Sequence, residues 1–164
     1  MRLFTLVSIV GFCTVPLLSS SAMAQLWAVN CEKQQCLDAT VGTPNGHVQV
    51  SDCDTKKLAQ QWHADGEKRP RNIQNAYEGF GKPCLDMTSK FQVVTNTCNS
   101  NLKAQDWFFA QNGQVGTIAN AFFVGKCLTV AKDDTVESVD CSKAVIPLQN
   151  WKWVNVGDPN LSCK

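Results

Sequence analysis

The sequence predicts an all-β fold in which one unit is written three times around a shared core. Gln60-Gln61-Trp62, Gln105-Asp106-Trp107 and Gln149-Asn150-Trp151 all read Gln-x-Trp, with the tryptophans 45 and 44 residues apart. A period of that size marks a repeated supersecondary unit. Cysteines keep the same beat. Cys53, Cys98 and Cys141 precede the glutamines by seven or eight residues, and Cys36-Leu37-Asp38, Cys84-Leu85-Asp86 and Cys127-Leu128-Thr129 stand 14 to 17 residues earlier still. The local signals are for short strands. Val48-Gln49-Val50 and Phe91-Gln92-Val93-Val94 are alternating or β-branched, and Asn45-Gly46, Asp65-Gly66, Asn112-Gly113 and Gly125-Lys126 punctuate them with turn chemistry. No helical period is sustained beyond about two turns.

Residues 1–24 read as a secretory leader. Arg2 opens it, Leu3 to Leu18 is largely apolar, and Ala22-Met23-Ala24 is a small-x-small cleavage signature. The apolar stretch is too short, and too soon broken by Pro16, to read as a membrane anchor. The expected mature chain is a single domain over 25–164, secreted, with no membrane insertion. Without Arg2 it has 14 basic and 14 acidic residues, a balance that argues against nucleic acid as a partner. The one basic cluster, Lys68, Arg69 and Arg71, reads as a solvated connection.

Cys13 leaves with the leader, so eight cysteines remain, an even number suited to an oxidising compartment. The repeat selects one pairing among the many possible: Cys36–Cys53, Cys84–Cys98 and Cys127–Cys141 within units, with Cys31 and Cys163 joining the two ends. No Cys-x-x-Cys pair exists and the two histidines have no zinc-ligand spacing, so no metal site and no cofactor is expected.

Units of this size cannot each bury a face alone, but three packed around a pseudo-threefold axis share one core, with Trp62, Trp107 and Trp151 as equivalent members. Past each tryptophan the second and third units match again: Ile73, Asn75, Ala76 and Tyr77 correspond to Ile118, Asn120, Ala121 and Phe122. Of Trp151 and Trp153, one is expected in the core and the other partly exposed or packed on the terminal clasp, while Trp27 is expected against the barrel bottom.

With Cys-Leu-Asp, a second cysteine and Gln-x-Trp in triplicate, the chain resembles the ricin B-type (R-type) lectin domain. The resemblance implies a β-trefoil of twelve strands, with a six-stranded barrel, a cap of three hairpins and termini that meet. It also implies where sugar is held: by the Asp of Cys-Leu-Asp, by an Asn just before the Gln of Gln-x-Trp and often a Gln four residues before the second cysteine, and by an aromatic two residues before that cysteine. The Gln of Gln-x-Trp itself mostly ties backbone together. Mapped onto this sequence, the first unit offers Asp38 and Gln49 and the second Asp86, while the Asn positions hold Ala59 and Ala104. Gln60 and Gln105, beside those positions, are carried as supporting sugar-binding candidates. The aromatic positions hold Ser51 and Asn96, and the third unit has Thr129, Glu137 and Val139. The third unit is therefore expected to be silent. The first two keep the carboxylate and lack a stacking ring, unless an aromatic from another loop, or His47 on the first hairpin, covers them.

No Gly-x-Ser-x-Gly, His-Glu-x-x-His or phosphate loop is present, and Asp52, Asp54, Asp133 and Asp134 read as solvated loop carboxylates. No catalytic residue is expected. Two functions follow from the resemblance: a non-catalytic module that binds glycans or glycoproteins weakly, or a degenerate trefoil that engages a protein partner, as a toxin-complex targeting subunit or an inhibitor of a secreted hydrolase.

Overall fold

In the computed structural model residues 24–39, 46–64, 70–141 and 147–164 are described. The expected leader apart from Ala24, the turn residues Asn45, Asp65 and Gly66, and Lys68 and Arg69 of the basic cluster lie outside them.

Each repeat contributes four strand positions. The first has β1 (Leu26–Asn30), β2 (Cys36–Ala39), β3 (Gly46–Ser51) and β4 (Trp62–His63). In the second the leading strand is interrupted at Ile73, giving β5 (Arg71–Asn72) and β6 (Gln74–Asn75) before β7 (Cys84–Met87), β8 (Val93–Asn96) and β9 (Asp106–Phe108). The third is interrupted likewise: β10 (Val115–Gly116) and β11 (Ala119–Asn120), then β12 (Lys126–Val130), β13 (Val136–Asp140) and β14 (Trp151–Asn155). A single 3-10 turn precedes each Trp strand, at Leu58–Gln60, Lys103–Gln105 and Pro147–Gln149.

The pairings close a ring of six strand positions. β1 pairs with both β14 and β4, β4 with β6, β5 with β9, β9 with β11, and β10 with β14. Closure removes the open sheet edges on which chains aggregate. The second and third strands of each repeat form the hairpins β2–β3, β7–β8 and β12–β13. They meet at the axis through the β3–β8 pairing and a bridge from Gln49 to Thr135.

The core is built of triplets one repeat apart. Trp62, Trp107 and Trp151 are buried beside Leu37, Leu85 and Leu128, with Val48, Val93 and Val136 beneath the hairpins. Each indole N–H donates to the carbonyl of its unit's Cys-Leu leucine, at 2.9 Å (Leu37), 3.0 Å (Leu85) and 3.3 Å (Leu128). Buried Trp is stable when its polar tip is paired, so the spacing between Cys-Leu and Gln-x-Trp is a register constraint. Trp153 departs from expectation: it is buried in the same cluster as Trp151, because residues two apart on a strand share a face. Trp27 packs in a smaller cluster with Val29, Cys36 and Val154.

Four disulfides join Cys36–Cys53, Cys84–Cys98, Cys127–Cys141 and Cys31–Cys163, the pairing the repeat selects. The three within units span 14 to 17 residues, and each constrains the unfolded chain by about 3 kcal/mol. Among the described residues no helix is long and apolar enough to cross a membrane.

Candidate functional site

Strand alternation turns the leucine of each Cys-Leu pair inward and the next residue to the opposite face. Asp38 and Asp86 occupy that outer position, and register decides what stands across from them. Asp38 faces Gln49, Asp86 faces Val94 and Thr129 faces Glu137. Only the first lobe sets an amide directly opposite a carboxylate.

Both aspartates are nonetheless largely covered, at 6% and 7% exposed, and one oxygen of each is bound from inside. Asp38 Oδ2 accepts from Ser51 Oγ at 2.6 Å and Gln60 Nε2 at 3.2 Å, with Lys57 Nζ 3.7 Å away. Asp86 Oδ2 accepts from Gln105 Nε2 at 3.1 Å and Asn96 Nδ2 at 3.5 Å. Ser51 and Asn96, at the positions where the resemblance implies an aromatic, hold the carboxylate instead. Among the described residues Oδ1 of Asp38 has no partner.

Gln60 and Gln105 have no exposed surface. Gln60 accepts the Asp54 N–H at 2.7 Å and donates to Ser51 Oγ and the Asp52 carbonyl, while Gln105 accepts the Asn99 N–H at 2.8 Å and donates to the Thr97 carbonyl. These amides orient the aspartates from behind and offer no face to a ligand, so they tie backbone together, as the resemblance implies for this Gln, and are not the sugar contacts for which they were candidates.

Around Asp38 a depression of about 520 Å³ is lined by Gln49, Lys56, Lys57, Leu58 and Tyr77. Tyr77 is the aromatic missing from the first unit's own hairpin, and it arrives from the start of the second. Its backbone is fixed by Asn75, whose Oδ1 accepts the Tyr77 N–H at 3.0 Å while its Nδ2 donates to the Ala59 carbonyl at 2.8 Å. Its ring lies over Gly79, where an added Cβ would come within 2.7 Å of Cζ and Oη. A side chain at 79 would therefore push the Tyr77 ring from this position.

Asn120 repeats the tether in the second lobe, donating to the Ala104 carbonyl at 2.8 Å and accepting the Phe122 N–H at 3.0 Å. Phe122, however, stands 59% exposed and packs edge-on against Phe123, centroids 4.9 Å apart. Four residues past this Asn the chain has Val124 where the first lobe has Gly79, and the run to the next Cys-Leu is seven residues instead of nine. In the third lobe the equivalent Asn is Asn30, donating to the Leu148 carbonyl at 2.9 Å, and the residue two beyond it is Glu32. The lobe without the aspartate also has no aromatic at this place. The Asn75-Ala76-Tyr77 match to Asn120-Ala121-Phe122 was visible in the sequence. Asn30 is the third member of that set, and the triplet is the sequence signal that leads to Tyr77.

His47 lines a separate depression beside Phe91, Lys126 and Glu137, so it does not cover Asp38. No cluster of three or more His, Cys, Asp or Glu side chains placed to hold a metal occurs among the described residues.

No protein-family model and no curated protein matches the sequence. Solved structures do. The C-terminal half of an earthworm R-type lectin, solved with GalNAc, is 16% identical at a TM-score of 0.59 over 79% of this chain and 97% of that one. A chain of the cytolethal distending toxin from Actinobacillus actinomycetemcomitans is 15% identical at 0.64, covering 82% and 92%. A GlcNAcα1-4Gal-releasing endo-β-galactosidase from Clostridium perfringens is 9% identical at 0.65 over 80% of this chain, which spans 32% of that enzyme. Together with the ring, the hairpin cap and the Trp triplet, these likenesses establish a β-trefoil fold, the one that R-type lectin domains have.

Proposed function

We propose that this ricin B-type β-trefoil is a secreted, non-catalytic carbohydrate-binding module whose working site is the first lobe. The observation that carries the reading is the placement of Tyr77 in the same depression as Asp38 and Gln49. A pyranose has hydroxyls at its edge and an apolar face. Asp38 Oδ1 and the Gln49 amide supply an acceptor and an amide for two neighbouring hydroxyls, and Tyr77 supplies a surface for the face. The lectin neighbour was solved with a sugar bound, and export through the expected leader over 1–24 agrees with four disulfides, which form in oxidising compartments.

A shallow site with few polar contacts gives a dissociation constant of about 1 mM, roughly 4 kcal/mol, so useful binding comes from several copies engaging one surface. Asp86 keeps its orientation but faces Val94, and Phe122, at the repeat position of Tyr77, stands mostly exposed, so the second lobe contributes little. A glycan array probed with the full chain, expressed for export and presented as a multivalent complex, tests the reading. Reproducible binding that Asp38→Ala abolishes and Asp86→Ala leaves intact supports it. Binding to no glycan by folded protein retires it.

A second reading, a protein-interaction scaffold, is favoured by the exposed side chains of Phe122 and Val124 and by the half-exposed Phe91, which with Phe122 packs on Phe123. Loss of partner binding in Phe122→Ser, in a protein that binds no glycan, is the result that would favour it.

A further inference from the structure

The charges around the first-lobe depression do not cancel. Asp38, Lys56 and Lys57 all line it. Asp38 Oδ2 is hydrogen-bonded by the neutral Ser51 Oγ and Gln60 Nε2, and its charge is offset by the nearby Lys57 Nζ. Lys56 Nζ has no ion-pair partner among the described residues. Among the lining residues two ammonium groups thus stand against one carboxylate, a net surplus of one positive charge at the rim, while the Asp54 carboxylate lies outside the lining and is engaged by the Lys56 N–H.

The turn that carries the lysines is fixed before any ligand arrives. The Lys56 N–H donates to Asp54 Oδ1 at 2.8 Å and the Lys57 N–H to the Asp54 carbonyl at 3.1 Å. Gln61 Nε2 donates to the Thr55 carbonyl at 2.9 Å, and Asp54 is itself anchored through its N–H to Gln60 Oε1. Four hydrogen bonds thus set where both side chains leave the backbone, and an anion there need order only their flexible stems. The pair belongs to this lobe alone. The same repeat positions are Asn101 and Leu102 in the second unit and Val145 and Ile146 in the third.

We propose that the first lobe selects an acidic pyranose, a sugar ring bearing a carboxylate or a sulfate. Tyr77 covers its apolar face, Asp38 and Gln49 take its hydroxyls, and Lys56 and Lys57 pair with its anion. This rests on the carbohydrate-binding reading and specifies the ligand class of that site. Lysine serves as a compact charge on a flexible stem, which suits an anion of either geometry.

The test compares neutral galactosides, the same galactosides carrying a sulfate, and hexuronides, all at one density on one array with the full chain. At low salt the acidic sugars are expected to bind roughly three- to tenfold better than the neutral ones, as one or two exposed ion pairs provide. That preference should shrink as salt rises to about 0.5 M, where charges at this spacing are screened. Lys56→Met, which breaks no internal ion pair, should cut the ratio of acidic to neutral binding, and Lys56→Met with Lys57→Met should bring it to about one. Tyr77→Ala should weaken acidic and neutral sugars together. Preference for only the sulfated or only the carboxylate sugar supports the proposal and identifies the anion. Equal binding of acidic and neutral sugars by the unaltered protein, or a preference that survives both Lys→Met changes, overturns it while leaving the carbohydrate reading in place. Failure to bind any sugar overturns the carbohydrate reading itself.

Discussion

The first and second lobes begin from nearly the same parts and end as different surfaces. Both have Cys-Leu-Asp on a hairpin, an aspartate gripped through one oxygen by the Gln-x-Trp glutamine, and an Asn that ties the following segment to the carbonyl before that glutamine. In the first lobe Gln49 stands opposite the aspartate and Tyr77, seated on Gly79, closes the side of the depression. In the second Val94 stands opposite, and Phe122 turns out toward solvent and Phe123. The scaffold is thus conserved by packing demands at the Trp and Gln positions. The proposed binding surface depends on a handful of residues that the scaffold leaves unconstrained, so the repeat shows the fold three times and the candidate site once.

The comparison can be broken most strongly at its shared core. Trp62→Ala and Trp107→Ala should each cost about 3–5 kcal/mol, as truncation of a buried aromatic does, and chemical denaturation should rank them alike because their surroundings repeat. The aspartates separate the lobes. Asp38→Ala and Asp86→Ala each remove one acceptor from a buried glutamine amide, a loss of about 1–2 kcal/mol in either lobe, but only Asp38→Ala should abolish sugar binding on the array. The aromatic pair sharpens the contrast further. Tyr77→Ala should weaken binding about tenfold, equivalent to about 1.4 kcal/mol, whereas Phe122→Ala should leave it unchanged. Gly79→Val should reproduce the Tyr77→Ala loss, since its Cβ occupies space held by the tyrosine ring. A Gly79→Val protein that binds as tightly as the original would show that the ring position is irrelevant.

The smallest expected effect lies at the third hairpin, whose Thr135 bridges to Gln49. Hydrogen bonds from the Thr135 hydroxyl and backbone N–H hold the Asp133 carboxyl below the usual carboxylate range. Because the folded value lies below the unfolded one, the stabilisation is present above the unfolded value and is lost as pH falls through the folded one. Asp133 is fully exposed, so the effect on unfolding should be slight. A carboxyl NMR titration should show the depressed value, and Thr135→Val should return it toward normal.

Much of the fold was legible because its constraints are periodic. Cys-Leu and Gln-x-Trp recur together since each indole must reach a leucine carbonyl in its own unit, and the disulfides follow the same beat. The family resemblance brought Asp38 and Gln49 together, and the hairpin register sets them directly opposite each other. Tyr77 was not assigned to the site because it joins Asp38 across a unit boundary, through the Asn75–Ala59 tether rather than through hairpin register. The glutamines misled for a related reason. Their spacing from the aspartates places them close by, but only burial shows that Gln60 and Gln105 approach from the core side. Trp153 was expected to differ from Trp151, yet alternation along β14 puts both in the core.

The claim that one lobe of three binds sugar is tested most directly by an NMR titration of the isotope-labelled full-length mature protein with a sulfated galactoside and, separately, a hexuronide. The account predicts saturable shifts confined to Asp38, Gln49, Lys56, Lys57 and Tyr77, with Asp86, Phe122 and Thr129 unmoved. Shifts centred on Asp86 and Phe122, or none at all at millimolar sugar, would contradict it.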